Sequence, residues 1–204
     1  MSKIINSKFK LSRRVGKTIH EHPSDAINYR NYFPGQHGQT VMRKKSEYAT
    51  QLIAKQTIKF HHNITEKQLR NYYIKAQNKK GDTAENLICY LNSRLDICIF
   101  RSNITSTFYA ASQLVSHGHV LVNGKKVNIR SYQLKVNDVV TITEKAKNMS
   151  IVKESIEKKS RRVPDYLSSE NDGYSFIFKK APSISEVPYP FKAEPNLIIE
   201  LYSR

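Results

Sequence analysis

The chain has 204 residues, with 34 basic and 17 acidic side chains, and hence a formal net charge of +17. A domain of this size needs a net charge of only about 2 to 8 for solubility, so the excess indicates a polyanionic partner, with nucleic acid ahead of a membrane surface. The mean hydropathy of −0.57 and the lack of any apolar run near ~20 residues exclude a membrane-spanning protein, and we expect no membrane partner.

The first 45 residues are predicted to be irregular, because Pro23, Pro34, Gly35 and Gly38 interrupt them and no helical or strand period emerges. Basic side chains alternate there with aromatic ones. This pattern is typical either of a solvated, disordered tail or of a segment that orders against RNA, where rings stack on bases and cations bind phosphates.

Two helices are predicted next. Ser46 can cap a helix that runs to about Phe60, and Thr65 and Gln68 have the capping-box spacing for a second helix. The second helix has an apolar face made of Leu69, Tyr72, Tyr73 and Ala76 and an opposite polar face made of Lys67, Arg70, Asn71 and Lys75. One side can therefore pack while the other contacts phosphate, although an ordinary solvated face fits the pattern equally well.

A third helix is predicted to begin after Gly81, with Asp82 and Glu85 as a cap pair. Its apolar stripe continues as far as Cys98, so a single helix is expected up to that residue. We expect Cys89 and Cys98 to be small, unpaired thiols in a reducing compartment.

A compact α+β module of about 60 residues follows. One of Thr105, Ser106 and Thr107 caps a short helix that Gly118 ends, and residues 119–122 and 125–127 form a hairpin around the Asn123-Gly124 turn. A second hairpin is predicted from 134–136 and 139–143. Residues 147–162 are predicted to be helical, and residues 174–178 and 196–202 are predicted to be strands.

The module resembles a known family. Residues 113–129, read together with Arg94-Leu95-Asp96, closely resemble the RNA-binding module of the S-four family. The rest of the chain narrows the resemblance to the ribosomal S-four family of bacterial type, through Lys10-Leu11-Ser12-Arg13-Arg14, Pro34-Gly35-Gln36-His37-Gly38, Ser46-Glu47-Tyr48, residues 66–73 and 80–87, and the ending Leu201-Tyr202-Ser203-Arg204.

The resemblance implies an α+β fold with a mainly helical first domain, built from both chain ends (1–93 plus 160–204), and an inserted RNA-binding module (94–159) with a small antiparallel sheet. It implies a structural role in the small ribosomal subunit: binding to the 5′ domain of small-subunit rRNA early in assembly, lining the channel through which mRNA enters, and contributing to decoding accuracy. Ribosomal proteins three and five are the expected protein partners.

The resemblance also implies site residues. The expected rRNA contacts are Lys8, Lys10, Arg13, Arg14, Gln36, His37, Lys55, Arg70, Tyr72, Arg94, His117, Asn123, Lys125 and Lys126. The residues expected to face entering mRNA are Arg43, Lys44 and Lys45, and those expected to contact protein are Tyr48, Glu200 and Tyr202. Relatives often have basic residues where this chain has Phe108 and Ser112, so the short helix should make fewer phosphate contacts.

No enzyme activity, cofactor or metal is expected. His61-His62 and His117-x-His119 find no third ligand at a convincing spacing. An rRNA pseudouridine synthase with Asp96 as its catalytic aspartate is a weak alternative, since Asp96 precedes the module and a salt bridge or cap explains it better. A free RNA-binding assembly or recycling factor is the other alternative. The lysine-rich, tryptophan-free composition fits a bacterial cytoplasm or an organelle-encoded mitochondrial protein.

Overall fold

A computed structural model describes residues 8–20, 24–40, 46–170 and 173–203. The α-helices are α1 (Lys8–Val15), α2 (Glu47–His61), α3 (Glu66–Gln77), α4 (Thr83–Asn92), α5 (Leu95–Arg101), α6 (Phe108–Ser116), α7 (Glu144–Lys147), α8 (Ser150–Lys158) and α9 (Pro195–Ser203). The strands are β1 (Val120–Val122), β2 (Lys125–Val127), β3 (Val139–Ile142), β4 (Leu167–Ser169) and β5 (Ser175–Phe178). Short 3-10 turns lie at Ala26–Asn28 and Ile184–Glu186.

The fold is α+β, as predicted, and its contacts divide the chain into two compact units. One joins the residues up to Leu87 to those from Tyr189 onward, and the other is Ile88–Pro188. The sequence-based division placed segment 160–188 with the chain ends. It groups instead with the second unit, because β4 and β5 in that segment hydrogen-bond into the sheet through β3.

The first unit is helical, and α9 packs along α2. Side chains at the helix starts explain two of its boundaries. The Ser46 hydroxyl accepts a hydrogen bond from the Ala49 amide at 3.2 Å, and Thr65 and Gln68 form the predicted reciprocal capping box. Both satisfy amides that the first turn of a helix leaves unpaired, which confirms the two predicted helix starts.

Two expectations for the first unit are wrong. Residues 196–202 are not a strand but the helix α9, which begins at Pro195, a residue suited to the first helical position. Short apolar runs do not distinguish a strand from a buried helix, and packing along α2 favours the helix here. The N-terminal region also contains α1, which is held where the Ser12 hydroxyl donates to the Asp25 carboxylate at 2.6 Å, both residues being buried.

The second unit contains an antiparallel sheet of five strands, in the order β2-β1-β3-β5-β4. Asn123 and Gly124 link β1 to β2 with φ values of 49° and 76°, which confirms the predicted tight turn, since both of its central positions need positive φ. Strand β3 pairs with both β1 and β5. The predicted second hairpin is wrong, because residues 134–136 form no strand. The Leu134 amide donates to the Ser93 carbonyl, and the Lys135 amide donates to the Asp138 carboxylate.

The prediction of a single helix up to Cys98 is also wrong, because the helix is interrupted between α4 and α5. Arg94 is extended, with φ −68° and ψ 139°, and it forms an antiparallel bridge with Gln133. The amide of Leu95 donates to the Tyr132 carbonyl at 2.9 Å instead of continuing α4. Cys89 and Cys98 thus lie in different helices, and they are not joined by a disulfide.

Candidate RNA interface

The outer face of α3 presents a row of polar side chains. Lys67, Arg70, Asn71 and Lys75 are all exposed, while Leu69, Tyr72, Tyr73 and Ala76 on the opposite side are buried. At 100° per residue the four polar positions span one side of the helix. None of the three cations is ion-paired to a carboxylate in the described part of the chain. We call these four residues the α3 outer face.

Tyr72, which was expected to contact rRNA, is buried. Its side chain is 8% exposed and lies on the packed side of α3. The periodicity had already placed it on the apolar face, and the structure follows the periodicity.

In α1, neighbouring arginines have different surroundings. Lys10 and Arg14 are exposed. Arg13 turns back onto the following loop, where its Nε and Nη2 donate to the carbonyls of Tyr32 and Phe33 at 3.0 and 3.1 Å. Its guanidinium also stacks on the Tyr32 ring at 4.5 Å. Arg13 therefore orders the loop, while Lys10 and Arg14 face solvent. The side chain of Lys8 is not among those that the structure describes.

The loop that Arg13 holds presents Gln36 and His37 to solvent. Its close fold depends on Gly38, where a Cβ atom would lie 1.8 Å from the Phe33 carbonyl oxygen. Backbone cannot yield as a flexible side chain would, so only glycine fits there. Arg43, Lys44 and Lys45, expected to face mRNA, lie outside the described residues.

The hairpin of the second unit presents Lys125 and Lys126, and His117 is exposed at the end of α6. The Asn123 side chain is engaged within the protein. Its amide nitrogen donates to Asp138 Oδ1 at 2.8 Å, and its oxygen accepts from the Val139 amide at 2.9 Å. Asn123 therefore shapes the turn that presents the lysines.

Arg94, expected to contact rRNA, is only 3% exposed. Its Nε and Nη2 donate to the two Asp96 oxygens at 3.0 and 2.7 Å, and Asp96 is also buried. This bidentate pair leaves the guanidinium no open surface for a phosphate. The salt bridge confirms the structural explanation of Asp96.

Lys55, Lys59 and Tyr202 converge on Glu66 in what we call the Glu66 cluster. The two ammonium groups lie 2.7 and 3.1 Å from the carboxylate, and the Tyr202 hydroxyl donates to it at 2.7 Å. Burial raises the pKa of Glu66, but the bonds from Lys55, Tyr202 and Lys59 outweigh burial and lower it from 4.5 to about 2. Burial and then the bond to Glu66 raise the pKa of Tyr202.

The Glu66 cluster changes the expected roles of two residues. Lys55 is committed to Glu66 rather than to phosphate, and Tyr202 packs against Tyr73 with ring centroids 5.1 Å apart. Of the other expected protein contacts, Glu200 is exposed but accepts from Gln51 at 3.1 Å, while Tyr48 is 55% exposed. Tyr48 is therefore the most accessible of the three.

Sequence reasoning missed the role of Arg161. Its guanidinium lies 4.0 Å from the Phe100 ring centroid and donates to the carbonyls of Thr105 and Ser106 at 2.6 and 2.9 Å. No local motif marks it, because its partners are 55 or more residues away along the chain. Phe108 and Ser112 are buried, so neither reaches solvent from α6.

The histidine pairs also have structural surroundings. His61 binds the Ile19 carbonyl at 2.7 Å, and His62 lies 3.0 Å from the Tyr189 hydroxyl. Over the described ranges, no group of three or more His, Cys, Asp or Glu residues is arranged to hold a metal. Among the helices of those same ranges, none has the length and apolarity needed to cross a membrane.

Two known protein families match consecutive parts of the chain. The family described as the S4 domain matches residues 93–140, and the one described as the Ribosomal protein S4/S9 N-terminal domain matches residues 3–92. The chain is thus a ribosomal-type protein that carries an S4 domain.

Full-length relatives define the family further. Proteins named small ribosomal subunit protein uS4 are 48% identical in Rickettsia massiliae, 49% in Rickettsia canadensis and 48% in Phenylobacterium zucineum, and each alignment covers 100% of both chains. The chain belongs to the small ribosomal subunit protein uS4 family, of bacterial type.

Proposed function

We propose that this protein is a structural component of the small ribosomal subunit and binds the 5′ domain of small-subunit rRNA. The full-length relatives and the S4 domain support the ribosomal role. The structural observation that carries the proposal is the α3 outer face, where three exposed cations share one side of a helix without a described carboxylate partner. Cations in such an arrangement bind RNA phosphates, which fix the position of a protein on its RNA.

The proposed interface keeps eight of the residues expected from the sequence and adds two. Exposure supports Lys10, Arg14, Gln36, His37, Arg70, His117, Lys125 and Lys126 as rRNA contacts, with Lys67 and Lys75 added from the α3 outer face. Burial or internal bonding removes Arg94, Tyr72 and Lys55, and gives Arg13 and Asn123 the role of shaping loops.

The finer roles rest on the family resemblance. We propose that the protein acts early in assembly and that Arg43, Lys44 and Lys45 line the channel through which mRNA enters, beside ribosomal proteins three and five. The exposed ring of Tyr48 supports it as a contact with protein five, and through that contact as a contributor to decoding accuracy. The bacterial relatives favour a cytoplasmic ribosome over the organellar alternative.

The buried Arg94–Asp96 pair supports the expectation that the protein is not an enzyme. A catalytic aspartate must reach its substrate, whereas the Asp96 carboxylate is 1% exposed and held by Arg94. Purified protein should release no tritium from uridine-labelled rRNA, and turnover would restore the synthase alternative.

Salt-dependent binding tests the α3 outer face. The variant Lys67→Gln/Arg70→Gln/Lys75→Gln should bind a small-subunit rRNA transcript more weakly, with a slope of log K against log salt reduced by about 2 to 3. The matched control Lys153→Gln/Lys158→Gln/Lys159→Gln removes the same charge from α8 and its end, where Glu154 and Glu157 intersperse the lysines. Equal slopes for the two triple variants would contradict an interface at α3.

Sedimentation separates a ribosomal component from a free factor. The protein should migrate with small subunits through a high-salt gradient and fractionate with cytoplasmic ribosomes of a bacterial cell. Complete release at moderate salt would favour the free assembly or recycling factor.

A further inference from the structure

Two histidines flank Gly118 where α6 leads into β1. His117 caps the C-terminus of α6, and the rings of His117 and His119 have centroids 6.2 Å apart. His117 is exposed, and His119 is partly covered. Gly118 between them has a φ of 71°, a conformation that glycine adopts without strain.

Lys126 lies across this glycine. It pairs with Leu121 in the β1–β2 ladder, and a Cβ atom on Gly118 would lie 2.3 Å from its Cε and 3.0 Å from its Nζ. The ammonium group is therefore held beside the backbone that joins the two histidines. The missing side chain at Gly118 leaves the room for it.

A second lysine, Lys145, lies in α7. The Thr143 amide donates to the His119 carbonyl at 2.9 Å and α7 begins at the next residue, so the first turn of α7 lies close to His119. Burial, then His117, Lys145 and Lys126, lower the pKa of His119. These are the charged neighbours from α6, β2 and α7, and all three are basic.

No carboxylate among the described residues is ion-paired to any of these four groups. The nearest acid in sequence, Glu144, has its carboxylate 2.6 Å from Lys147. Basic groups that lie close together disfavour the protonated form of His119 unless an anion lies among them. We call His117, His119, Lys126 and Lys145 the histidine–lysine cluster.

We propose that the histidine–lysine cluster binds one phosphate group of the RNA backbone and that His119 gains a proton when the phosphate binds. This rests on the proposed RNA-binding function and adds His119 and Lys145 to it as contacts, with Gly118 as the residue that positions Lys126. Two ammonium groups and two ring N–H donors can surround a phosphate with charge-assisted hydrogen bonds. The phosphate favours the imidazolium, so affinity is greatest at low pH and falls as pH rises through the pKa of bound His119.

Filter binding to a small-subunit rRNA transcript tests the site. Lys126→Gln and Lys145→Gln should each weaken binding roughly two- to fivefold, the range of an exposed ion pair. The double variant should reduce the salt slope by about 1, as expected for one phosphate. Lys153→Gln on α8 is the control and should leave the slope nearly unchanged. A salt slope reduced by about 2 in the double variant would overturn the proposal. So would single variants whose loss of affinity is no greater than that of the control.

Proton linkage provides the second readout. The Cε1 proton of His119, followed by NMR, should titrate at higher pH in the RNA complex than in the free protein. The decline in affinity between about pH 6 and 8 should be shallower in His119→Gln than in Lys153→Gln. Unchanged titration of His119 on binding would refute its role.

The outcomes distinguish this proposal from the proposed function. If wild-type protein does not bind the transcript, the rRNA-binding function fails. If it binds and the Lys145→Gln and His119→Gln variants, folded by circular dichroism, bind as Lys153→Gln does, only the phosphate site fails.

Discussion

Replacing Glu66 by glutamine should destabilise the first unit, because it removes the one negative charge of the Glu66 cluster. The side chains of Lys55 and Lys59 are only 13% and 16% exposed, so each would keep its charge with little solvent to compensate. Glutamine keeps the shape of the side chain and an oxygen that can accept from Tyr202, so the change isolates the charge.

The size of the effect follows from the lowered pKa. Each tenfold change in proton affinity corresponds to about 1.4 kcal/mol, so a fall in the pKa of Glu66 from 4.5 to about 2 sets an upper bound of about 3 kcal/mol. The Glu66 side chain is 44% exposed, so solvent screens part of this energy. We expect a loss of about 1 to 2 kcal/mol.

Urea unfolding followed by circular dichroism at several pH values is the assay. The Glu66 pKa is lower in the folded protein, so its stabilisation is present above about pH 4.5 and is lost as pH falls from 4.5 towards 2. Wild type and Glu66→Gln should therefore differ at pH 7 and converge in acid. Glu154→Gln, which breaks an exposed pair on α8 separated by 3.5 Å, should cost under about 0.5 kcal/mol. A gap at pH 7 no larger than that of Glu154→Gln, or one that persists undiminished near pH 2, would refute the reasoning.

Two further changes test the second unit. Arg94→Met should lower the free energy of unfolding in urea by about 3 to 5 kcal/mol, because it leaves the Asp96 carboxylate buried without its partner. The double variant Arg94→Met/Asp96→Leu should recover part of that loss. A single variant as stable as wild type would contradict the buried pair. Asn123→Ala should lower the free energy of unfolding by about 1 to 2 kcal/mol, because it removes two hydrogen bonds and places alanine at a φ of 49°. It should also speed hydrogen exchange at the Val139 amide, and unchanged exchange would argue against the bond from that amide.

Local signals in the sequence were reliable wherever local chemistry decides the backbone. Ser46, Thr65 and the Asn123-Gly124 turn were predicted correctly, because a cap or a positive φ involves residues only a few positions apart. The break before α5 could not be predicted in this way. It depends on the Tyr132 carbonyl, which lies 37 positions beyond the Leu95 amide that donates to it.

Packing against a distant helix also explains why the strand prediction for α9 failed. Its run of Leu, Ile and Tyr has the composition of a strand, but α2 provides a surface on which a helix packs. Tertiary contacts of this kind outweigh the intrinsic preference of a nine-residue segment.

The same limit applies to the candidate site. Sequence identifies cations but not their partners, so Arg94, Lys55 and Arg70 were expected to have the same role. In the structure Arg94 and Lys55 are bound to carboxylates of the protein itself, whereas Arg70 faces solvent. A long side chain that is paired with such an acid is already neutralised, and releasing it to a phosphate would leave the acid without its partner.

The net charge of +17 therefore overstates the surface available to RNA, and the position of each acid decides which cations contribute. In the first unit, Glu66 lies at the start of α3 and engages two lysines of α2, which leaves the cations further along α3 without a described partner. In the second unit, Asp138 holds the Asn123 turn while Lys125 and Lys126 remain exposed beside it. In both units an acid binds the groups that shape the surface, and the cations beside it stay open to phosphate. Replacing those acids should alter RNA binding indirectly, through geometry, whereas replacing the exposed cations should alter its salt dependence directly.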